Sequence, residues 1–144
     1  MSGIVDSIKS YPEKGAAGIE LTEARLMENS GLEGDFHAVG GDRQLSLLTA
    51  KIREQIKRQK EKGLCFSRFN ENITMHGIDP KTLCPGVQLV IGEAELTITG
   101  ETKHCFKECS LFEAGKYCPL AGTGLFAKVI KSGTIHIGDK ITAP

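Results

Sequence analysis

The stretch with most chemical potential is Lys103-His104-Cys105-Phe106-Lys107-Glu108-Cys109, with Cys118 and Pro119 a short way on. It holds most of the chain's reactive sulfur, since three of the five cysteines fall between Cys105 and Cys118. A thiol is a nucleophile or a soft-metal ligand only as its thiolate, and nearby positive charge favours that form. Lys103, His104 and Lys107 supply such charge within two residues of Cys105. The plainer alternative is a packed or surface cysteine among solvated lysines. Two further uses of these thiols stay open. The C-x3-C-x8-C spacing lacks the paired C-x2-C knuckles of zinc ribbons, but His104, Cys105, Cys109 and Cys118 could hold zinc if the loop folds Cys118 back. If the segment is helical, one turn separates Cys105 from Cys109, which would allow a redox pair.

Other segments could complete a site around that sulfur. Gly31 to Asp42 contains Gly31, Gly34, Gly40 and Gly41. Glycines let backbone N–H groups approach an anion, and His37 in the same loop could hydrogen-bond a ligand. Arg43, where the loop enters a strand, offers a planar fork for phosphate or carboxylate, or an internal pair with Asp42 or Asp35. Asn72 could orient a ligand through its amide or cap a turn. Thr49 is placed to cap a helix running to about Lys62, with Ile52 and Ile56 on one face and Gly63 as its stop. The polar face of that helix carries six basic residues (Lys51, Arg53, Lys57, Arg58, Lys60, Lys62) against Glu54 and Glu61. It is either a solvated face or a surface for a phosphate or an acidic partner.

The elements that must position these residues are mostly strands. Gly3 to Lys9, Ile19 to Met27, Gln44 to Leu48 and Asn72 to Met75 have strand character, with a turn-prone 11–15 segment after the first. Asp79-Pro80-Lys81-Thr82-Leu83 predicts a helical turn. Val87 to Ile91, a Gly92-Glu93 turn and Ala94 to Thr99 predict a hairpin. Leu125 to Ile130 and Thr134 to Thr142 predict a final pair joined at Ser132-Gly133. The fold class is therefore mainly β: a small, partly closed β-barrel of about eight strands with one or two helices, in one domain spanning residues 1–144.

The 144 residues suffice to bury roughly two-thirds of the unfolded surface. Net charge is zero, so no bulk electrostatic force draws the chain to nucleic acid or anionic lipid. No apolar run approaches the ~20 residues that span a bilayer. The odd cysteine count and the lack of a secretory pattern at Met1 to Asp6 predict free thiols in a cytoplasmic setting.

The order of the motifs says more than any one of them. Gly31-Leu32-Glu33-Gly34-Asp35-Phe36-His37-Ala38 is followed by Asp42-Arg43-Gln44-Leu45-Ser46-Leu47-Leu48, then Phe69-Asn70-Glu71-Asn72-Ile73-Thr74 with Gly77-Ile78. Leu83, Gly86, Leu89, Ile91 and Gly92 come next, then Lys103-His104-Cys105, then Gly124 to Val129, and Gly133, Ile135, Gly138 and Asp139. From about Gly31 to Ile141 this series resembles the MOSC domain, named for the C-terminal part of molybdenum cofactor sulfurases, and most closely its short stand-alone bacterial members. The resemblance implies a β-barrel that binds the molybdenum–pterin cofactor or handles sulfur for metal–sulfur centres. It places the family's cysteine on Cys105, as persulfide carrier or direct molybdenum ligand. Cofactor contacts fall on Arg43 and Asn72, with His37, Lys103 and His104 as further contacts. It implies sulfur transfer, or reduction of N-hydroxylated compounds on a cysteine-bound molybdenum. The sulfurase's pyridoxal-phosphate domain has no counterpart in these residues, so a cysteine desulfurase or a molybdenum cofactor enzyme is the expected partner.

Overall fold

The computed structural model describes residues 2–59, 69–101, 118–120 and 122–143. In chain order the elements are β1 (Ser2–Ser10), β2 (Ile19–Leu21), β3 (Glu23–Met27), β4 (Gly31–Leu32), β5 (Leu45–Thr49), α1 (Ala50–Arg58) and β6 (Ile73–His76). After them come β7 (Gln88–Ile91), β8 (Ala94–Glu101), β9 (Leu125–Lys131), β10 (Gly133–His136) and β11 (Lys140–Thr142).

Seven strands close a barrel in the order β1-β11-β7-β8-β9-β5-β6, with β6 returning to β1. Closure is what the alternation of side chains demands. Leu125, Ala127 and Val129 of β9 and Ala94, Leu96 and Ile98 of β8 all point inward and are essentially fully buried. They meet Val5, Ile8, Leu45, Leu47, Leu89, Ile91 and Ile141 in one interior. A flat sheet would leave two hydrogen-bonding edges open, and joining β11 to β1 removes them. Register shifts in β1 between Val5 and Ser7, and in β8 near Leu96 and Ile98, accompany the bending that a closed sheet needs. Neighbouring barrel strands are antiparallel except β5 and β6, whose parallel pairing needs a crossover, and α1 lies in that connection. A three-stranded sheet, β10-β3-β4, stands beside the barrel.

Local signals are realised where the chain's own turn chemistry suffices. The β7–β8 hairpin pairs Ile91 with Ala94 across a turn in which Gly92 has φ +55°. Asp79 caps the short 3-10 turn Pro80–Thr82 through a 3.0 Å bond from the Lys81 N–H. Thr49 caps α1 by accepting the Ile52 N–H at 3.4 Å.

Three expectations are corrected. The 19–27 stretch is two strands, because β2 pairs with β1 while β3 crosses to β10 and β4. The carbonyl of Thr22, between them, takes the Ile137 N–H at 3.0 Å. The 125–142 stretch is no hairpin. β9 pairs with β8 and β5, β10 with β3, and β11 with β1 and β7. The chain turns at Ile137-Gly138, with Gly138 at φ +90°. Finally, α1 ends at Arg58 with Gln59 extended at ψ 125°, short of Lys62. Ile52 and Ile56 are its buried anchors, and no further apolar residue follows at helical spacing before Leu64.

The break between β9 and β10 depends on Gly133. A Cβ there would lie 2.5 Å from the Glu93 carbonyl carbon and 2.6 Å from the Ala94 nitrogen, both backbone atoms of the β7–β8 turn. Gly133→Ala is therefore expected to lower stability by about 2–3 kcal/mol, the upper part of the range for forced overpacking. Urea unfolding checks this, and a loss under about 0.5 kcal/mol would mean the crossing has slack.

Candidate functional site

Lys103, His104, Cys105 and Cys109 lie outside the described residues, as does Cys65. The strands on either side of the Cys105 segment locate its two ends. Glu101, the last residue of β8, is registered against Leu125, the first of β9, and Leu125 against Leu47 of β5. Glu101 and Leu125, the strand residues that flank the segment, thus lie at the same barrel end from which β5 runs into α1.

The outer wall at β5 and β9 carries a second, smaller apolar cluster. Leu48, Ile52, Ile56, Phe69 and Leu120 form it, with Phe126 and half-buried Cys118 packed against it. The burial of Leu47 and Leu48 in succession follows: Leu47 faces the barrel interior and Leu48 faces out beneath α1. Phe69 and Phe126 meet edge-to-face with centroids 5.8 Å apart.

Arg43 belongs to this wall. Gly40 and Gly41, at φ +84° and +83°, turn the chain into β5, and the Asp42 carbonyl accepts a hydrogen bond from the Thr99 hydroxyl. The Arg43 guanidinium carbon then lies 4.5 Å from the Phe126 ring centroid. An exposed cation–π contact contributes about 0.5–1 kcal/mol, which biases the guanidinium towards the ring. Neither Asp42 nor Asp35 pairs with it, and no carboxylate among the described residues does. Among the described residues no acceptor meets its N–H edges.

Asn72 sits on the same face through Ser46, the β5 residue registered against Phe126. Its side-chain oxygen accepts the Ser46 N–H at 3.0 Å and the Ser46 hydroxyl at 3.2 Å. Its NH2 donates to the Lys9 carbonyl and to Asp35 Oδ1, each at 3.1 Å. With all four hydrogen-bonding positions filled and 1% exposure, Asn72 ties β5, β1 and the glycine loop together. Asp35, itself buried, also takes the Tyr11 N–H at 2.7 Å and the His37 N–H at 3.1 Å. His37 is half-exposed, its ring against Phe36 and its Nδ1 3.4 Å from Asp35 Oδ2. The structure thus links Arg43, Asn72 and His37, residues from three separate segments, around the Ser46–Phe126 pair.

Sequence reasoning missed a polar network beside this wall. Glu71, 2% exposed, receives Arg53 of α1 in a two-pronged contact that includes a 3.1 Å bond from Arg53 Nε. The Thr74 hydroxyl donates to Glu71 Oε2 at 3.1 Å, and the Tyr11 hydroxyl donates to the Glu71 carbonyl at 3.1 Å. A two-pronged Arg–carboxylate contact is strong and directional, and here it anchors α1 to the start of β6. Only Arg53's position opposite a Glu71 18 residues away reveals it, which no local pattern encodes.

Burial pushes the Tyr11 phenol up to about 12, with Glu71 and Asp35 adding to the rise and Arg53 opposing it. Tyr11 is a fixed donor at neutral pH rather than a base. Because the folded value lies above the unfolded value of 10.0, its contribution is complete below pH 10 and is lost as pH rises towards 12. Tyr11→Phe is expected to cost about 1 kcal/mol at pH 7, the hydrogen bond to Glu71, and to flatten the loss of stability between pH 10 and 12. Denaturant midpoints across that range test both effects; an unchanged alkaline slope would remove Tyr11 as its source.

Among the described residues no three His, Cys, Asp or Glu side chains are grouped to hold a metal. No described helix is long and apolar enough to cross a membrane.

The MOSC domain family matches residues 34–142. No curated protein matches the chain. Among solved structures, the YuaD protein from Bacillus subtilis is 18% identical with a TM-score of 0.72, covering 98% of this chain and 94% of that one. YiiM from Geobacillus stearothermophilus is 16% identical, TM-score 0.68, over 100% of this chain and 75% of that one. YiiM from Escherichia coli is 21% identical, TM-score 0.63, over 100% and 70%. At such identities these likenesses speak for the fold alone.

Proposed function

Because this chain belongs to the MOSC domain family, we propose that it binds the molybdenum cofactor or carries sulfur on Cys105, for transfer or delivery to a molybdenum or metal–sulfur centre. The observation that supports this best is the guanidinium of Arg43, which has no carboxylate partner among the described residues and lies over the Phe126 ring of β9, the strand that follows the Cys105 segment. A guanidinium fork fits a phosphate, and a thiolate flanked by Lys103 and His104 fits a soft metal or a persulfide. When bound, the cofactor would supply a redox-active molybdenum able to take a thiolate ligand. Arg43 would hold the anionic end, with Lys103, His104 and His37 as further contacts. Asn72 would act by holding Asp35 and Ser46 in place. In a reducing, cytoplasmic setting the thiol stays available, and a cysteine desulfurase or a molybdenum cofactor enzyme is the partner such chemistry calls for.

Intact-mass analysis and metal quantification on anaerobically purified protein test this reading. An added ~32 Da on Cys105 indicates a persulfide, and stoichiometric molybdenum indicates the cofactor. If molybdenum is present, reduction of an N-hydroxylated base with an artificial electron donor would make the protein a reductase rather than a carrier. Stoichiometric zinc, with loss of fold on chelation, would replace both with a structural site at His104, Cys105, Cys109 and Cys118.

A further inference from the structure

A cavity of about 580 Å³ opens between the first turns of α1 and the loop after β6. Its floor is apolar: Ile52, Met75 and Ile78 are all buried. Its rim is cationic. Lys51 comes from α1 and Lys81 from the 3-10 turn, and neither has a carboxylate partner among the described residues. Among the described lining residues Asp79 is the one acid, and it is engaged at 3.0 Å by the Lys81 N–H. The first turn of α1 carries no acid.

An apolar floor with a few polar groups at the mouth is the usual construction of a small-molecule site. Two ammonium groups from separate elements suit a ligand group with several anionic oxygens, which both can engage as point charges. We propose that this cavity binds a phosphomonoester with an apolar or aromatic body, the body against Ile52 and Ile78 and the phosphate between Lys51 and Lys81. Arg43 does not line it, and the test below reads phosphomonoester binding, so its outcome is separate from that of the thiol chemistry proposed above.

Phenyl phosphate is a suitable probe, titrated into 15N-labelled protein and followed by amide shifts, with inorganic phosphate and phenol as comparisons. Shifts should concentrate at Lys51, His76 and Lys81, and phenyl phosphate should bind several-fold tighter than either comparison. The double variant Lys51→Glu/Lys81→Glu, at two exposed positions, should weaken binding at least ~10-fold, a change of about 1.4 kcal/mol. Added salt should weaken wild-type binding in the same sense. The proposal is overturned if the double variant, shown folded by an unchanged thermal midpoint, binds as well as wild type. It is equally overturned if the shifts fall elsewhere, or if phenol or inorganic phosphate binds as tightly as phenyl phosphate.

Discussion

Cys105→Ser is expected to abolish molybdenum retention or persulfide loading, a loss of more than tenfold, while Cys65→Ser and Cys84→Ser leave both intact. The change exchanges one atom, yet a serine hydroxyl neither ionises near neutral pH nor offers the soft donor that molybdenum and sulfane sulfur require. Cys84 serves as the internal control. It is exposed, its Sγ lies 3.6 Å from the Lys81 carbonyl, and it is followed by Pro85. It lacks the cationic neighbours on both sides that Cys105 has in sequence. Metal analysis and intact mass of the three variants decide the matter. Equal losses in all three would end the proposal, since the effect would then belong to thiols in general.

Asn72→Ala is the second large effect, and it is one of stability. Truncation removes the acceptor of the Ser46 N–H and hydroxyl and the donor to Lys9 and Asp35, at a position itself 1% exposed. Each buried group left unpartnered costs about 1–3 kcal/mol. Ser46 and Asp35 are the two most exposed to that loss, so about 3 kcal/mol is expected, or roughly 10 °C in thermal midpoint for a domain of this size. Asn72→Asp separates position from volume. It keeps the acceptor for Ser46 but sets a carboxylate against Asp35 with no donor between them, and it should be at least as damaging. Equilibrium urea unfolding of both variants is the measurement. If Asn72→Ala keeps full stability and loses only ligand binding, the residue contacts the ligand directly and the account of it as a tie between elements is wrong.

Asn72 is visible in the sequence, but its hydrogen-bond partners are not. Strand alternation, the Gly92-Glu93 turn, the Thr49 cap and the Asp79-Pro80 turn can each be read within a few residues, because each rests on backbone geometry that neighbouring residues decide. The mainly β class and the barrel follow from many such strands and the need to leave no edge open. The ordered motif series identified the family, since each motif is a local string whose order along the chain survives any folding.

The partners of these strands were decided only in three dimensions. Alternation tells which face of a strand is apolar but not which strand lies beside it, so the 19–27 and 125–142 stretches could not reveal that β3 and β10 leave the barrel to pair with each other. The candidate site has the same character. Ser46 and Phe126 have no evident role in sequence, yet their registration draws Arg43, Asn72, Asp35 and His37 to one wall. Arg53 looked like one of six solvated bases until Glu71 placed it. By itself the sequence determined the strand-rich class, the local turns and caps, and the family. Tertiary structure alone decided which distant side chains share a face, because a contact between residues tens of positions apart is created by chain closure and leaves no periodic trace along the chain.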